Sequence, residues 1–345
     1  MHLSLRVAAL IITTATVAQM GSAAPFPSAT DLHREAVVVD LHADTLLDVQ
    51  ANKRNIAIRS TSGHIDLPRL REGGVDVQVF AAFIHPKDAS RGFTRASELL
   101  DAFDRLLAAH GQVLGRATTV EEITALIREG KIAAVLSIEN ASAIGDDLAN
   151  MERLYRRGVR IMSLTWNQSN RLADGALDQQ HSGLTALGRQ VVMRMQELGM
   201  VIDVSHLSER SFWDVLAVSH GPLLATHSNA AGLTPHARNL TDDQLRAIAR
   251  RGGVVGVNFY PALTGGASLD RVLNHIDYLV NVVGVDHVGL GSDFDGFSQR
   301  VKGLEDVSKL PNLTAGLLAR GHSPDAIRKI LGGNALRVFR QVWGR

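Results

Sequence analysis

The stretch VVVDLHADT, residues 37–45, decides the fold, because an apolar and β-branched run ends abruptly in two polar side chains. The run predicts a buried strand over residues 37–41. Side chains two residues apart in a strand point to the same side, so His42 and Asp44 can bind one divalent metal ion. The alternative interpretation is that Asp44 caps a following helix and that His42 is an ordinary core histidine. The rest of the chain bears on this choice, because the same pattern recurs.

Seven further apolar runs have the length and composition of buried strands, and segments with helical spacing separate them. The eight predicted strands cover residues 37–41, 75–84, 132–138, 159–165, 200–204, 222–226, 253–259 and 287–291. The last predicted helix covers residues 324–338. Eight alternating strand and helix units in about 300 residues predict an α/β fold, a closed (β/α)8 barrel of the TIM type. The alternative, a doubly wound open sheet, does not gather the ends of strands one, three, five, six and eight around one centre.

Metal-type ligands or titratable side chains stand directly after five of these eight strands. They are His42 and Asp44 after the first strand, Glu139 after the third, His206 after the fifth, His227 after the sixth and Asp293 after the eighth. In a TIM-type barrel the active site lies at the C-terminal ends of the strands, so these side chains are expected to converge. Alone, His206 can be a helix-entry residue and Glu139 can begin a turn. Their joint position favours metal binding.

Imidazole and carboxylate groups together suit two divalent ions that share a bridging carboxylate. We expect His42 and Asp44 to bind the first ion and Glu139 to bridge it to the second. His206 and His227 then complete the coordination of the second ion. Two such ions about 3.5–4 Å apart can generate hydroxide at neutral pH and polarise a carbonyl, which is hydrolytic chemistry.

The bulk composition excludes several classes of function. Hydrophobic residues make up 45% of the 345-residue chain, which supports a sizeable core, and 36 basic residues balance 35 acidic ones. A net charge near zero, without a long basic run, gives no support for binding to nucleic acid or to anionic membranes. The chain has no cysteine, which excludes a thiolate zinc site and a cysteine nucleophile. A Gly-x-Ser-x-Gly motif and a phosphate-binding glycine loop are absent, so serine-hydrolase chemistry and nucleotide binding have no support.

Residues 1–24 have the features of a cleaved secretory signal. Arg6 precedes an apolar run over residues 7–17, and small residues occupy positions 22–24. An uncleaved membrane anchor is the alternative, but threonines interrupt the apolar run, which is short for a span of ~20 residues. We expect a single barrel domain over residues 25–345 that is secreted or periplasmic and has no stable membrane span.

Six motifs in this chain combine into a specific pattern. They are VDLHADT at residues 39–45, SIEN at 137–140, IDVSH at 202–206, ATHSN at 225–229, RN at 238–239 and GSDFDG at 291–296. Together they resemble the membrane (renal) dipeptidase family, a group of zinc peptidases among the metal-dependent, amidohydrolase-like barrels. The resemblance covers nearly the whole mature chain, including GLEDV at 303–307 and GNALRV at 333–338.

The resemblance implies a binuclear zinc dipeptidase with two Zn²⁺ ions per chain. In this family a hydroxide that bridges the two zinc ions attacks the carbonyl of a small dipeptide, and an aspartate matching Asp293 passes the proton to the leaving amine. An arginine matching Arg238 binds the free C-terminal carboxylate of the substrate, a task that suits a planar guanidinium group. The resemblance also implies tolerance for a D-residue at the C-terminal position, and a homodimer. From the residues alone, Arg238 can be a solvated loop charge, but its position eleven residues after His227, on the loop that leaves the sixth strand, favours the functional interpretation.

One position departs from the family pattern. Some members have a histidine after the fourth strand that contacts the substrate, whereas this chain reads SLTWN at residues 163–167, with Trp166 in that place. Tryptophan cannot act as a base and donates only through its indole N–H. We predict that Trp166 either supplies one hydrogen bond or only shapes the substrate pocket, and that Asn167 can replace the missing donor.

Three further residues lie outside these motifs. His85, after the second strand, can line the site, but a surface loop is favoured for it. Tyr260 faces the active-site end of the barrel, where the alternative is that it only packs. His236 has no partner pattern and is treated as ordinary. Two other functions stay open, a lactonase, deaminase or phosphotriesterase on the same barrel and a non-catalytic metal-binding protein. His-x-Asp in place of His-x-His, and the lack of a lysine at a plausible bridging position, count against the first.

Overall fold

The computed structural model describes residues 27–178 and 182–344, so the predicted signal segment, residues 1–24, lies outside the described residues. Nine parallel strands occur in this part of the chain. They are β1 Val39–Ala43, β2 Val77–Phe83, β3 Leu114–Arg116, β4 Ile132–Glu139, β5 Val159–Ser163, β6 Val201–Asp203, β7 Leu224–Ala225, β8 Val254–Val257 and β9 Val288–Leu290. Across the same ranges, no helix has both the length and the apolar character needed to cross a membrane.

Eight of these strands form a closed barrel. Neighbouring strands pair in the order β1, β9, β8, β7, β6, β5, β4 and β2, and β2 pairs with β1 to complete the circle. The ninth strand, β3, pairs with the first three residues of β4, on the edge that β5 occupies further along. The predicted (β/α)8 barrel is therefore confirmed, and all eight predicted strands are present. Strand β3 was not predicted, because three residues are too few to show a period.

Helices surround the barrel. The α-helices are α1 Ala29–Glu35, α2 Thr45–Gln50, α3 Leu67–Glu72, α4 Gly92–His110, α5 Val120–Arg128, α6 Ala149–Arg156, α7 Ala186–Glu197, α8 Glu209–Val218, α9 Asp242–Arg250, α10 Pro261–Thr264, α11 Leu269–Val283, α12 Leu310–Ala319, α13 Pro324–Arg328 and α14 Asn334–Trp343. Short polar side chains cap many of them. Thr241, for example, forms a capping box with Gln244 at the start of α9.

The last helix differs from its prediction. Residues 324–338 were expected to form one helix, but a π-helical turn, Lys329–Gly333, separates α13 from α14. At Gly332 a Cβ atom would lie 2.3 Å from the carbonyl oxygen of Val37, so the turn packs directly against the chain entering β1. Helix α14 then continues to Trp343, because its apolar face closes the N-terminal end of the barrel.

Candidate active site

Strand β1 brings His42 to the centre of the barrel through a β-bulge. Asp40 pairs with Gln78 and Ala43 pairs with Phe80, so β1 has one residue more than β2 over this interval. A bulge of this kind redirects side chains and is common beside active sites. Below it, the buried Asp40 carboxylate accepts hydrogen bonds from the Ser292 backbone N–H at 2.8 Å and from the Ser292 hydroxyl at 2.6 Å. These bonds fix β1 against the end of β9.

Asp44 directly precedes α2, which is the position that the helix-cap alternative assigns to it. Among the described residues, however, its side chain makes no capping hydrogen bond. Its Oδ2 atom lies 3.5 Å from His42 Nε2. The carboxylate therefore turns away from the helix and towards the histidine.

Glu139 stands between the remaining candidate ligands. This residue ends β4 and is buried. One carboxylate oxygen, Oε2, lies 3.5 Å from His42 Nε2. The other, Oε1, lies 2.8 Å from His206 Nε2 and 3.8 Å from His227 Nε2. The two oxygens thus face two different groups of ligand atoms, which is the arrangement of a bridging carboxylate.

His206 and His227 point their Nε2 atoms at each other across 2.8 Å. On the far side of each ring, Nδ1 has a partner. His206 Nδ1 donates to the side-chain oxygen of Asn167 at 2.9 Å, and His227 Nδ1 donates to the Thr226 hydroxyl at 2.8 Å. The Thr226 hydroxyl in turn donates to Asp203 at 2.6 Å, so its oxygen is free to accept from His227. Both rings therefore carry their proton on Nδ1 and turn a lone pair towards the centre.

Electrostatics keep these two histidines neutral. Burial, together with the nearby positive charges of Arg238 and His42, holds the pKa of both His206 and His227 well below the ordinary value. Neutral imidazole is the form that binds metal ions. For His42, burial acts in the same direction, but the adjacent carboxylates of Asp44 and Glu139 raise its pKa well above the ordinary value.

The chemistry of this donor set fits divalent cations. The Nε2 lone pairs of His206 and His227 lie close to each other and to a Glu139 oxygen. Because both rings carry their proton on Nδ1, no proton is available to form a hydrogen bond between these atoms. Within the described part of the chain, His42 Nε2 and Asp44 Oδ1 are buried without a hydrogen-bond partner. One ligand atom each from His42, Glu139 and His227 lies within 4.8 Å of the others, and the same holds for His42, Asp44 and Asp293. Bound cations would satisfy these groups.

Asp293 lies beside the donor set after β9. Its φ angle is +60°, in the left-handed region, and the φ of His206 is +69°. Such conformations are costly for residues with a side chain and concentrate at functional sites. The Asn258 amide donates to Asp293 Oδ2 at 2.9 Å. Burial raises the pKa of Asp293 to about 6, and the charge of Asp44 acts in the same direction.

Gly296 makes this crowding of carboxylates possible. A Cβ atom at this position would lie 2.5 Å from Asp44 Oδ2 and 2.6 Å from Asp293 Oδ1. Any side chain would therefore collide with both carboxylates. In the sequence, Gly296 stands out only as part of the GSDFDG motif, and the two nearby carboxylates are the physical reason for a glycine there.

The site opens into a cavity of about 530 Å³. Its walls include the carboxylates of Asp44 and Asp293 and the side chains of Trp166 and Arg238. His236, treated as ordinary above, also lines it, and its Nδ1 accepts the Arg238 backbone N–H at 3.0 Å. No signal in the sequence marks His236, because its place in the cavity depends on the path of the loop after β7.

Arg238 presents a buried positive charge to this cavity. Its side chain donates to the backbone oxygen of His227 at 3.3 Å, which anchors it next to the histidine pair. Burial lowers the pKa of Arg238 to about 10, so the guanidinium group remains charged at neutral pH. A buried cation without full compensation attracts an anionic group of a ligand.

The motifs of this chain resemble one peptidase family, and a comparison of the chain with models of known protein families tests this resemblance. Residues 27–343 match the model of the membrane dipeptidase family, peptidase family M19. The chain belongs to this family. It is also 34% identical over 310 residues to the dipeptidase tcpJ of Claviceps purpurea, and the alignment covers 86% of this chain and 73% of the relative.

Solved structures of M19 peptidases share the fold. The dipeptidase AC, a metallopeptidase of family M19, is 32% identical with a TM-score of 0.83, over 90% of this chain and 99% of that one. A metallopeptidase from Rhodobacter sphaeroides, solved with a phosphinate mimic of the dipeptide L-Ala-D-Ala, is 32% identical with a TM-score of 0.81. That match covers 90% of this chain and all of the other. The resemblance inferred from the six motifs is thereby confirmed.

Asn167 has a role in this M19 site that the sequence did not indicate. It was predicted as a donor to the substrate, but its side-chain oxygen is engaged by His206 Nδ1. Asn167 therefore orients a candidate metal ligand, and a direct contact with substrate stays a prediction. Trp166 lines the cavity, with its ring 6.2 Å from that of His206.

A buried ion pair supports the loops that carry the carboxylates. Asp295 accepts hydrogen bonds from the Thr45 hydroxyl at 2.7 Å and from the His64 backbone N–H at 2.6 Å, and it forms an ion pair with Arg54. Burial alone would raise its pKa, but the His64 hydrogen bond and the Arg54 charge hold the pKa of Asp295 below the ordinary value. This network ties the loop after β9 to the loop after β1.

Proposed function

We propose that this M19 chain is a binuclear zinc dipeptidase that hydrolyses small dipeptides, including those with a D-residue at the C-terminal position. The observation that carries the proposal is the position of Glu139. Its two carboxylate oxygens face separate groups of histidine and aspartate ligand atoms. Zinc is the expected metal because nitrogen and oxygen ligands of this mixture suit it.

The metal centre supplies one kind of chemistry. Divalent ions bound by such ligands make hydroxide available at neutral pH and polarise a carbonyl group. The protein's contribution is to hold the ligands in place. Asn167 and Thr226 fix the His206 and His227 rings from behind, so that both Nε2 lone pairs face the centre.

Arg238 selects substrates that have a free C-terminal carboxylate. A guanidinium group binds a carboxylate through two parallel hydrogen bonds, which favours a defined orientation. Because Arg238 is anchored to the backbone of the ligand His227, a carboxylate bound there lies close to the metal centre. The peptide bond nearest to that carboxylate is then the bond presented for cleavage, and in the dipeptides expected for this family it is the single peptide bond.

Asp293 is the proposed proton carrier. One oxygen, Oδ2, is held by Asn258, and Oδ1 lies against Gly296, next to Asp44 Oδ2. During hydrolysis the attacking water loses a proton, the C–N bond breaks and the leaving nitrogen gains a proton. A carboxylate beside the centre can accept the first proton and deliver it to the nitrogen, and a pKa above the ordinary value suits both tasks.

The finer points rest on the relatives and on the sequence. The Rhodobacter sphaeroides peptidase was solved with a mimic of L-Ala-D-Ala, which supports tolerance for a D-residue in this chain. Export to the periplasm or the exterior after cleavage near residue 24, and a homodimer, are proposals from the leader sequence and the family. Protein sequencing of the exported N-terminus and sedimentation of the purified chain test them.

The proposal is tested by the hydrolysis of L-L and L-D dipeptides by the chain from residue 25 with zinc added. Each substrate is run with a chelator control and beside its C-amidated analogue. We expect turnover that the chelator abolishes and that amidation strongly reduces. Asp293→Asn separates an enzyme from a metal-binding protein, because the enzyme keeps its metals and loses turnover. A folded chain with two zinc ions that cleaves no dipeptide would refute the proposal.

A further inference from the structure

Phe83 and Arg238 lie on opposite sides of the barrel. Counted around the closed barrel, β2 is four strands away from β7 in either direction. Phe83 is the last residue of β2, and Arg238 lies on the loop that follows β7. Both side chains line the same cavity. The candidate metal centre, with Glu139 in the middle, therefore lies between them.

The side opposite Arg238 is aromatic. The rings of Phe83 and Trp166 lie 5.2 Å apart at an angle of 59°, and both residues line the cavity. His85 packs beside them, 6.0 Å from the Phe83 ring and 5.9 Å from the Trp166 ring. The His85 ring is held in turn, because its Nδ1 accepts the Lys87 backbone N–H at 3.1 Å. Phe83 and Trp166 thus form an aromatic wall of the cavity, and His85 packs beside it.

A dipeptide has a fixed order of groups, and this order assigns its residues to the two sides. The carboxylate belongs to the C-terminal residue and binds at Arg238 in the proposed function. The scissile carbonyl lies at the centre, next to Glu139. The N-terminal residue is then on the far side of the carbonyl carbon, where Phe83 and Trp166 stand.

We propose that Phe83 and Trp166 bind the side chain of the substrate's N-terminal residue and select large apolar or aromatic side chains there. This inference rests on the proposed dipeptidase function and names its substrate class. Both rings are only partly buried in the protein. A substrate side chain that covers them removes further apolar surface from water, and a tilted ring pair leaves room for edge or stacked contacts with a third ring.

Two series of dipeptides test the inference. In the Xaa-Gly series the N-terminal residue is Gly, Ala, Leu or Phe, and the achiral C-terminal glycine removes any effect of L or D configuration. In the Gly-Xaa series the same side chains occupy the C-terminal residue, in L and D forms. For the wild type we expect kcat/KM to rise at least about tenfold from Gly-Gly to Phe-Gly, the effect of filling an apolar pocket.

Phe83→Ala is expected to lower the Phe-Gly to Gly-Gly ratio of kcat/KM at least about fivefold, since much of the wall is then missing. The Gly-Phe to Gly-Gly ratio should change less than about twofold. Phe83→Leu, which keeps apolar bulk, and Trp166→Phe, which keeps a ring, should retain more of the preference. Ile58→Ala is the matched control, because Ile58 is 63% exposed and does not line the cavity.

The outcomes separate the inference from the function on which it rests. Suppose that metal content and melting temperature match the wild type. If Phe83→Ala then leaves the Phe-Gly to Gly-Gly ratio of kcat/KM unchanged, the inference is wrong and the dipeptidase function stands. The same holds if Phe83→Ala lowers kcat/KM equally in the two series. If the metal-loaded wild type cleaves no member of either series, the dipeptidase proposal fails and the inference fails with it.

Discussion

The two ends of the barrel use the same strands for opposite purposes. At the N-terminal end, Val39 and Val77 pack with Phe339 and Trp343 of α14, whose rings stack 4.1 Å apart. At the C-terminal end, three residues after Val39, His42 faces carboxylates and other imidazoles. The first end consists of packed apolar and aromatic side chains, whereas the second brings several carboxylates and imidazoles together. A stable apolar end allows the other end to hold an arrangement that is unfavourable without a ligand.

The largest effect is expected from Glu139→Gln, which removes the bridging charge at the C-terminal end. An amide is a poor bridging ligand, so we expect fewer bound zinc ions and a loss of kcat/KM of at least about 10⁴-fold, or about 5.5 kcal/mol. Dipeptide kinetics and metal analysis check this. Glu121→Gln, an exposed change on α5, is the control. Full activity of Glu139→Gln would contradict the assignment of the bridge.

Phe339→Ala tests the opposite end. Phe339 is fully buried, and loss of its ring should lower the free energy of unfolding by about 3–5 kcal/mol. The kcat of the folded fraction should stay within about twofold, because α14 lies far from the ligands along the barrel axis. Denaturant unfolding and dipeptide kinetics are the measurements. Arg340→Ala, exposed on the same helix, should change stability little. A large fall in kcat with unchanged stability would contradict the expectation that the two ends act independently.

Stability of the metal-free chain should depend on pH through Asp293. Its pKa is raised from 3.8 to about 6 in the folded state. The folded chain therefore binds this proton more tightly than the unfolded chain, and stability is lost as the pH rises from about 4 to about 6. Relative to Asp293→Asn, the wild type should lose up to about 3 kcal/mol over this range.

Chemical unfolding of both metal-free proteins at several pH values measures this difference. The Asp293→Asn protein is the reference, because it lacks only the titrating group and shares every other pH-dependent residue. A difference between the two proteins that stays constant from pH 4 to pH 7 would contradict the raised pKa.

The smallest effect is expected from Asn167→Ala. The His206 ring loses the acceptor that fixes its tautomer and orientation, so zinc affinity should fall by about 10–100-fold. Competition with a chromogenic chelator measures the affinity. Gln168→Ala, an exposed neighbour on the same loop, is the matched control. If Asn167→Ala instead raises KM at unchanged zinc affinity, Asn167 acts on the substrate, as the sequence alone suggested.

The sequence predicted those features of the site that depend on single strands. Buried parallel strands are almost continuously apolar, so a histidine or carboxylate at a strand end, such as His42 or Glu139, stands out. The closed barrel follows from eight such strands. The residue spacing did not reveal the bulge in β1, because register is set by the partner strand.

Contacts between distant segments of the chain could not be predicted from the sequence either. Gly296 fits between Asp44 and Asp293, and Asn167 meets His206 across 39 positions of the chain. Neither contact has a local signature, since each depends on how two loops approach each other at the rim. The left-handed backbone of His206 likewise follows from the packing around it and not from its own preference.

Zinc reconstitution of the metal-free wild type tests the central claim most directly. Zinc is added in steps to the chain from residue 25, and bound zinc per chain and kcat/KM for one dipeptide are measured at each step. We predict that activity is negligible without zinc and reaches its maximum as the content approaches two ions per chain. Full activity without zinc, or no dipeptide hydrolysis with two zinc ions bound, would contradict the account.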